Sequence, residues 1–146
     1  MLYSELQCSE AIHKAVERMG FAEMTEVQEK TIPVMLAGRD VIAKAPTGTG
    51  KTCAFGIPVA EHIDPALKAP QAVILAPTRE LANQINDVLM PLTHAFGMNT
   101  TTIYGGVKYI HQVRDLKAGA DIVVACPGRL EDLLRQKALT LSSVEV

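Results

Sequence analysis

The feature that most constrains this 146-residue chain is the segment Ala45-Pro46-Thr47-Gly48-Thr49-Gly50-Lys51-Thr52. It follows the apolar run 41–43, predicted to be a short buried strand, and it precedes a helix predicted to begin near Lys51. Closely spaced glycines allow positive φ angles, so that successive N–H groups point into one concavity, and the following helix dipole adds to that field. The pattern predicts a phosphate-binding loop. A plain turn between strand and helix would explain the glycines but not the Gly-Lys-Thr ending.

The polar side chains of this loop have separate predicted roles. Lys51 would reach the outer phosphates as a mobile point charge. The Thr52 hydroxyl would bind a magnesium ion that also contacts those phosphates. We therefore expect Lys51 and Thr52 to act in catalysis. The residues of the loop predicted to contact the nucleotide are Ala45, which replaces the usual first glycine, Thr47, Gly48, Thr49, Gly50, Lys51 and Thr52.

Helix and strand patterns alternate along the rest of the chain. Ser9 and Thr25 are placed to cap two helices, and apolar residues at helical spacing predict further helices within 81–92, 110–116 and 130–134. The other predicted strands are 73–76, 100–104 and 122–125. Unbroken apolar strands separated by helices predict an α/β fold with a parallel sheet covered by helices on both faces.

Composition narrows the class of protein. Apolar residues make up 48% and charged residues 21%, which suits a globular domain. No apolar run approaches the roughly 20 residues that span a bilayer, and early glutamates do not suit a signal peptide. The net charge of −2 argues against a strongly basic nucleic-acid module. Three cysteines without metal-ligand spacing suggest reduced thiols. We therefore expect a cytoplasmic protein with no membrane partner.

The loop variant Ala45-x-Thr47-Gly48-x-Gly50-Lys51-Thr52 is the one found in superfamily-2 helicases. The chain resembles, over nearly its whole length, the N-terminal RecA-like domain of DEAD-box ATP-dependent RNA helicases. The resemblance implies a Q-motif region at 1–38 and a partial RecA-like ATP- and RNA-binding domain at 39–146, together forming one structural domain. It also implies ATP and Mg²⁺ as cofactors, ATP or ADP and RNA as partners, and ATP hydrolysis coupled to local RNA unwinding in the full-length enzyme.

The stretch 20–33 is similar to the Q motif of that family. Gln28 would there read the adenine edge, since a side-chain amide can pair with both N6–H and N7. A capping box between Thr25 and Gln28 would explain the same residues without any ligand. The adenine interpretation requires the Gln28 amide to face the nucleotide pocket, with space there for a base. The residues that the resemblance places at the nucleotide are Tyr3, which would stack on the base, Phe21, Thr25 and Gln28.

Three later segments resemble RNA-contacting motifs of the family. They are 77–82 (motif Ia), the glycine pair 105–106, and 127–129 (motif Ib), which Cys126 precedes where Thr or Ser is usual. Helix N-termini, glycines and a few arginines would read the RNA backbone independently of sequence. Each segment alone would also suit an ordinary turn. The predicted RNA contacts are Pro77, Thr78, Arg79, Gly105, Gly106, Gly128 and Arg129.

The Asp-Glu-Ala-Asp string that names the family does not occur in the chain, and neither do the Ser-Ala-Thr motif and the second RecA-like domain. We expect a fragment of a longer enzyme whose domain is incomplete, which binds nucleotide without efficient turnover and associates with itself through unpaired strand edges. Two alternatives stay open. One is a non-catalytic nucleotide- or RNA-binding module, and the other is a different phosphate-loop enzyme, such as a small-molecule kinase or a DNA helicase.

Overall fold

A three-stranded parallel sheet forms the centre of the structure, a computed structural model that describes all 146 residues. Its strands are β1 (Ala72–Leu75), β2 (Thr100–Ile103) and β3 (Ile122–Ala125). The strand order is β1-β3-β2, and β3 is paired in parallel with both neighbours. All four residues of β3 are buried, as expected for the central strand of a sheet covered on both faces.

Six α-helices and one short 3-10 helix surround the sheet. They are the 3-10 helix Tyr3–Glu5, α1 (Glu10–Arg18), α2 (Glu26–Leu36), α3 (Lys51–His62), α4 (Arg79–Ala95), α5 (Tyr109–Lys117) and α6 (Pro127–Arg135). The side chains of Ser9 and Thr25 accept hydrogen bonds from backbone N–H groups in the first turns of α1 and α2, so both predicted caps are confirmed. None of these helices combines the length and the apolarity that crossing a bilayer demands.

Alternate residues of β3 face two different apolar cores. Ile122 and Val124 belong to the larger core, which α1 to α4 help to build. Val123 and Ala125 belong to a smaller core that includes residues of α5 and α6. Since successive side chains of a strand point to opposite faces, helices cover both faces of the sheet. The predicted α/β architecture is confirmed.

The predicted strand at 41–43 is wrong. The chain is irregular there, its backbone groups make no hydrogen bonds, and the Ile42 side chain is fully exposed. Val41 and Ala43 instead line a cleft of about 430 Å³ together with Ile74 and Leu75 of β1. Apolar composition favours a strand only where a neighbouring backbone is available to pair with it. Here no strand lies within hydrogen-bonding reach.

The edge of β1 that faces away from β3 is only partly paired. The backbone N–H of Glu145 donates to the carbonyl of Gln71, and the N–H of Val73 donates to the carbonyl of Val146, both at 3.0 Å. No backbone partner follows for the second half of this edge, where the Leu75 side chain is 59% exposed. This open part of the edge borders the cleft beside Val41.

Substitution of two isoleucines, one in the core and one in the unpaired segment 41–43, should have very different effects on stability. Ile32 of α2 is completely buried in the larger core, so Ile32→Ala should lower the free energy of unfolding by about 2–5 kcal/mol. Ile42→Lys should change it by less than about 0.5 kcal/mol, because the side chain is exposed. Urea unfolding followed by circular dichroism measures both. A comparable loss in the two variants would contradict the position found for 41–43.

Candidate functional site

The loop before α3 has free backbone donors. Gly48 and Gly50 both have a φ angle of 81°, as predicted for a loop that curls around an anion. None of the backbone N–H groups of residues 47–52 donates to an acceptor within the protein. The N-terminus of α3 lies at Lys51, so the positive end of the helix dipole is added to these donors. The segment therefore has the backbone chemistry of an anion-binding site.

Two side chains of the loop are engaged with its own backbone. The Lys51 ammonium donates to the carbonyl of Ala45. The Thr49 hydroxyl donates to the carbonyl of Pro46 at 2.7 Å. The Thr52 hydroxyl, on the second residue of α3, makes no hydrogen bond. This contact uses one of the three N–H donors of the Lys51 ammonium, so two remain for a phosphate.

The Gln28 side chain joins α2 to the phosphate loop. Its Nε2 donates to the carbonyl of Gly50 at 3.1 Å. Its Oε1 accepts from the backbone N–H of Thr25 at 3.0 Å and from the Tyr3 hydroxyl at 2.5 Å. The capping box is therefore present, and the amide also faces the loop. The capping interpretation is confirmed, whereas the adenine interpretation stays a prediction, since the Gln28 side chain is buried.

Two features of the structure favour glycine at position 50. A Cβ atom added there would lie 2.3 Å from Gln28 Nε2, which is far inside van der Waals contact. The φ angle of 81° would strain any side chain at the same position. The second glycine of the loop thus serves the close approach of α2 as well as the loop's own curvature.

The two predicted aromatic residues of the base site lie against each other. The rings of Tyr3 and Phe21 are stacked with their centroids 6.3 Å apart. Tyr3 is buried in the larger core, whereas Phe21 is 43% exposed. Burial, with a smaller contribution from Cys53, raises the pKa of the Tyr3 phenol well above its ordinary value. The phenol therefore remains protonated and able to donate to Gln28.

The predicted RNA contacts of motif Ia lie beside the glycine pair. Pro77, Thr78 and Arg79 are exposed at the start of α4, where the Thr78 hydroxyl accepts from the backbone N–H of Leu81 at 3.2 Å. The Arg79 guanidinium lies 4.9 Å from the ring centroid of Tyr104, the residue before Gly105. A Cβ on Gly106, whose φ is 84°, would meet the same guanidinium at 4.0 Å. Arg79 makes no ion pair with a glutamate.

Arg129 of motif Ib contacts the residue that follows the glycine pair. Its guanidinium is stacked over the Tyr109 ring, 4.0 Å from the centroid. It also donates to the carbonyl of Val107 at 3.0 Å and to Gln112 Oε1 at 3.2 Å. Gly128 is exposed next to it, and Cys126 is the N-cap of α6 without a side-chain hydrogen bond. A Thr or Ser at that position would have supplied a hydroxyl.

Three residues that contact the two arginines were not predicted from the sequence. Tyr104 and Tyr109 flank the glycine pair closely, and their position there is a signal that could have identified them. Gln112 carries no such signal, because a glutamine within a polar helix is normally exposed. In the structure it is buried and bonded to two different segments.

Sequence and structure comparisons give the relatives of this chain. The family model for DEAD/DEAH box helicases matches residues 25–146. The "DEAD-box ATP-dependent RNA helicase CshA" of Streptococcus pneumoniae is 45% identical over 145 residues, which are 99% of this chain and 28% of that protein. The "ATP-dependent RNA helicase DeaD" of Escherichia coli is 42% identical over 143 residues, 97% of this chain and 23% of that protein. This chain thus spans about a quarter of the curated relatives it matches.

The fold agrees with the same family. The crystal structure of a DEAD box protein from Methanococcus jannaschii matches with a TM-score of 0.93 and 38% identity, covering 99% of this chain and 40% of that one. A protein from Sulfolobus tokodaii, described as a hypothetical ATP-dependent RNA helicase, matches with a TM-score of 0.82 and 40% identity over 93% of this chain and 40% of that one. The alternative of an unrelated phosphate-loop enzyme, such as a small-molecule kinase, is therefore wrong. With its parallel sheet, its phosphate loop and the family match over most of its length, the chain belongs to the DEAD/DEAH box helicase family.

Proposed function

We propose that this chain is the ATP- and RNA-binding N-terminal part of a DEAD-box RNA helicase, whose full-length form couples ATP hydrolysis to local unwinding of RNA. The observation that carries the proposal is the loop at 45–52, which has free N–H groups and Lys51 at the start of a helix, and which Gln28 holds from α2. Family membership supports both ligand classes, since the relatives are named ATP-dependent RNA helicases.

The triphosphate would bind where the free N–H groups of residues 47–52 are. Lys51 would donate its remaining N–H groups to phosphate oxygens, because a charged ammonium is attracted more strongly to an anionic phosphate than to an uncharged carbonyl. The Thr52 hydroxyl has no partner within the protein and suits Mg²⁺, which prefers oxygen ligands. Magnesium would neutralise phosphate charge, with water and the phosphates as its remaining ligands.

The base would be read by Gln28. One Nε2 hydrogen is already used by the Gly50 carbonyl, and the other is free to donate to N7 of adenine. Oε1 already accepts two hydrogen bonds, so an N6–H donor would replace either the Tyr3 hydroxyl or the Thr25 N–H. The base is predicted to stack on Tyr3, beside Phe21. The Tyr3 ring is buried in this structure, so it would have to become exposed before a base could contact it.

RNA would contact the surface formed by the start of α4, the glycine pair and the start of α6. This surface has two arginines, exposed glycines and two helix N-termini, which suit the sugar–phosphate backbone and carry no base-specific information. The partner would be RNA of any sequence. Binding should weaken as salt rises, because phosphate contacts release counterions.

We further propose that the 146-residue chain binds ATP without efficient turnover. Positioning of the attacking water and of the metal in phosphate-loop enzymes depends on a carboxylate beside the phosphates. The Asp-Glu-Ala-Asp string that would supply such a carboxylate does not occur in these 146 residues. This is the observation that favours the second candidate function, a nucleotide- and RNA-binding module.

The cysteines support a reducing compartment. Cys8, Cys53 and Cys126 are all free thiols. Burial, with a smaller effect of Glu61, raises the pKa of the Cys8 thiol to about 11, and burial also raises the pKa of Cys53. Both therefore stay protonated and poorly reactive at neutral pH. We propose a cytoplasmic location, which microscopy of a fluorescently tagged chain would test.

Nucleotide binding and turnover test the proposal directly. We expect calorimetry to show binding of Mg²⁺–ATP, with phosphate release at the background rate. Lys51→Ala should weaken binding roughly 10- to 100-fold, the loss expected for one hydrogen bond to a charged group. Lys44→Ala, which removes an exposed lysine of the preceding segment, is the matched control and should change little. Equal effects of the two substitutions, or no binding by the unaltered chain, would rule out the loop as the site.

Base selectivity tests the role of Gln28. Gln28→Glu keeps the Oε1 acceptor for Thr25 and Tyr3 but removes the Nε2 donors. Any disturbance of the phosphate loop should weaken ATP and GTP equally, whereas loss of adenine recognition should weaken ATP alone. We therefore expect the ratio of GTP to ATP dissociation constants to fall about tenfold. If Gln28 only caps α2 and holds Gly50, that ratio will not change.

Self-association is the remaining proposal about partners. The exposed segment 41–43 of one copy would pair with the open half of the β1 edge of another, next to Leu75. Sedimentation velocity should then show a species larger than a monomer whose fraction rises with concentration. Ile42→Lys should reduce that fraction. Ile110→Lys changes a side chain that is 70% exposed on α5 and should not. A monomer at every concentration would end this proposal.

A further inference from the structure

Gln112 is a buried polar residue in a helix that is otherwise exposed or half-buried. It is 4% exposed and is the one buried residue of α5. Its Nε2 donates to the carbonyl of Tyr104 at 2.8 Å, and its Oε1 accepts from the Arg129 guanidinium at 3.2 Å. Burial of an amide is costly unless both ends are hydrogen-bonded. Here the two ends bind segments that come from different strands of the sheet.

The two partners of Gln112 belong to the proposed RNA surface. The Tyr104 carbonyl precedes the glycine pair, and the Tyr104 ring lies against the Arg79 guanidinium. Arg129 is held from three directions, by Gln112, by the carbonyl of Val107 and by the face of the Tyr109 ring. Tyr109 is itself fixed, because its hydroxyl donates to Asp132 of α6 at 3.1 Å. A single connected network thus links both arginines.

We propose that Gln112 and Tyr109 are positioning residues for RNA binding, which fix the Arg129 guanidinium at a set position relative to Arg79 before RNA arrives. The inference rests on the proposed RNA-binding function. A free arginine side chain samples many rotamers, and part of that conformational entropy is lost on binding. Since the protein has already immobilised Arg129, RNA binding does not have to supply that loss. The two arginines of this surface can then suffice, although the net charge of the chain is −2.

The experiment measures affinity for a single-stranded oligouridine RNA as a function of salt. For single strands, the slope of log affinity against log salt concentration is about −0.7 per phosphate contact. Arg129→Ala should therefore flatten the slope by about 0.7. Gln112→Leu, which is similar in volume, should weaken binding about three- to tenfold at low salt. Because Gln112 acts through Arg129, the double variant should bind no more weakly than Arg129→Ala alone.

The matched control is a second buried glutamine far from the arginines. Gln71 is 6% exposed, and its amide bonds both the N–H and the carbonyl of Asp64. Gln71→Leu should cost stability, as Gln112→Leu does, but should leave RNA affinity and its salt slope unchanged. Equal melting temperatures for the two variants would exclude a general loss of folding as the cause of weaker RNA binding.

Tyr109→Ala provides a second variant should Gln112→Leu fail to fold. Tyr109 is 37% exposed, so its removal leaves the core intact. It should also weaken RNA binding and should also show no added effect in the Arg129→Ala background. Either of two results would overturn this inference and leave the proposed function intact. One is full additivity with Arg129→Ala. The other is unchanged affinity in both positioning variants while Arg129→Ala weakens binding. No RNA binding by the unaltered chain would instead remove the proposed function on which it rests.

Discussion

The hydrogen bond from Gln28 Nε2 to the carbonyl of Gly50 connects two parts of the chain that are 22 residues apart. It fixes the end of the phosphate loop to α2, and through the Tyr3 hydroxyl it also fixes the first turn of the chain. The φ angle of 81° at position 50 favours glycine, and a Cβ there would also displace the Gln28 amide from its place. The shape of the loop is therefore set from outside the loop as well as by its own glycines.

The parallel sheet determines where the candidate RNA contacts lie. Each of them is in a segment that follows a strand, or at the start of the helix after that strand. β1 leads to α4 and Arg79, β2 leads to the glycine pair, and β3 leads to α6 and Arg129. The carboxyl ends of parallel strands meet at one edge of a sheet, where ligand sites of α/β folds usually lie. Residues that are 50 positions apart in sequence, such as Arg79 and Arg129, are brought to one surface by this arrangement.

Features governed by local chemistry could be predicted from the sequence, and those governed by distant partners could not. The caps at Ser9 and Thr25 and the positive φ angles of Gly48 and Gly50 follow from neighbouring residues, and all were predicted correctly. The strand at 41–43 was predicted wrongly because pairing needs a backbone that the segment itself does not contain. Gln112 was missed since its partners lie 8 and 17 residues away, across turns of unknown geometry.

The hydrogen bond from the Lys51 ammonium to the Ala45 carbonyl affects which substitutions the loop can accept at position 45. The acceptor is a main-chain atom, which every amino acid supplies, so a replacement at position 45 cannot abolish it. Alanine in place of the usual first glycine is therefore harmless to this resting state. Under the proposed function, a bound triphosphate would share the Lys51 ammonium with this carbonyl whatever side chain is at position 45, because the acceptor belongs to the backbone.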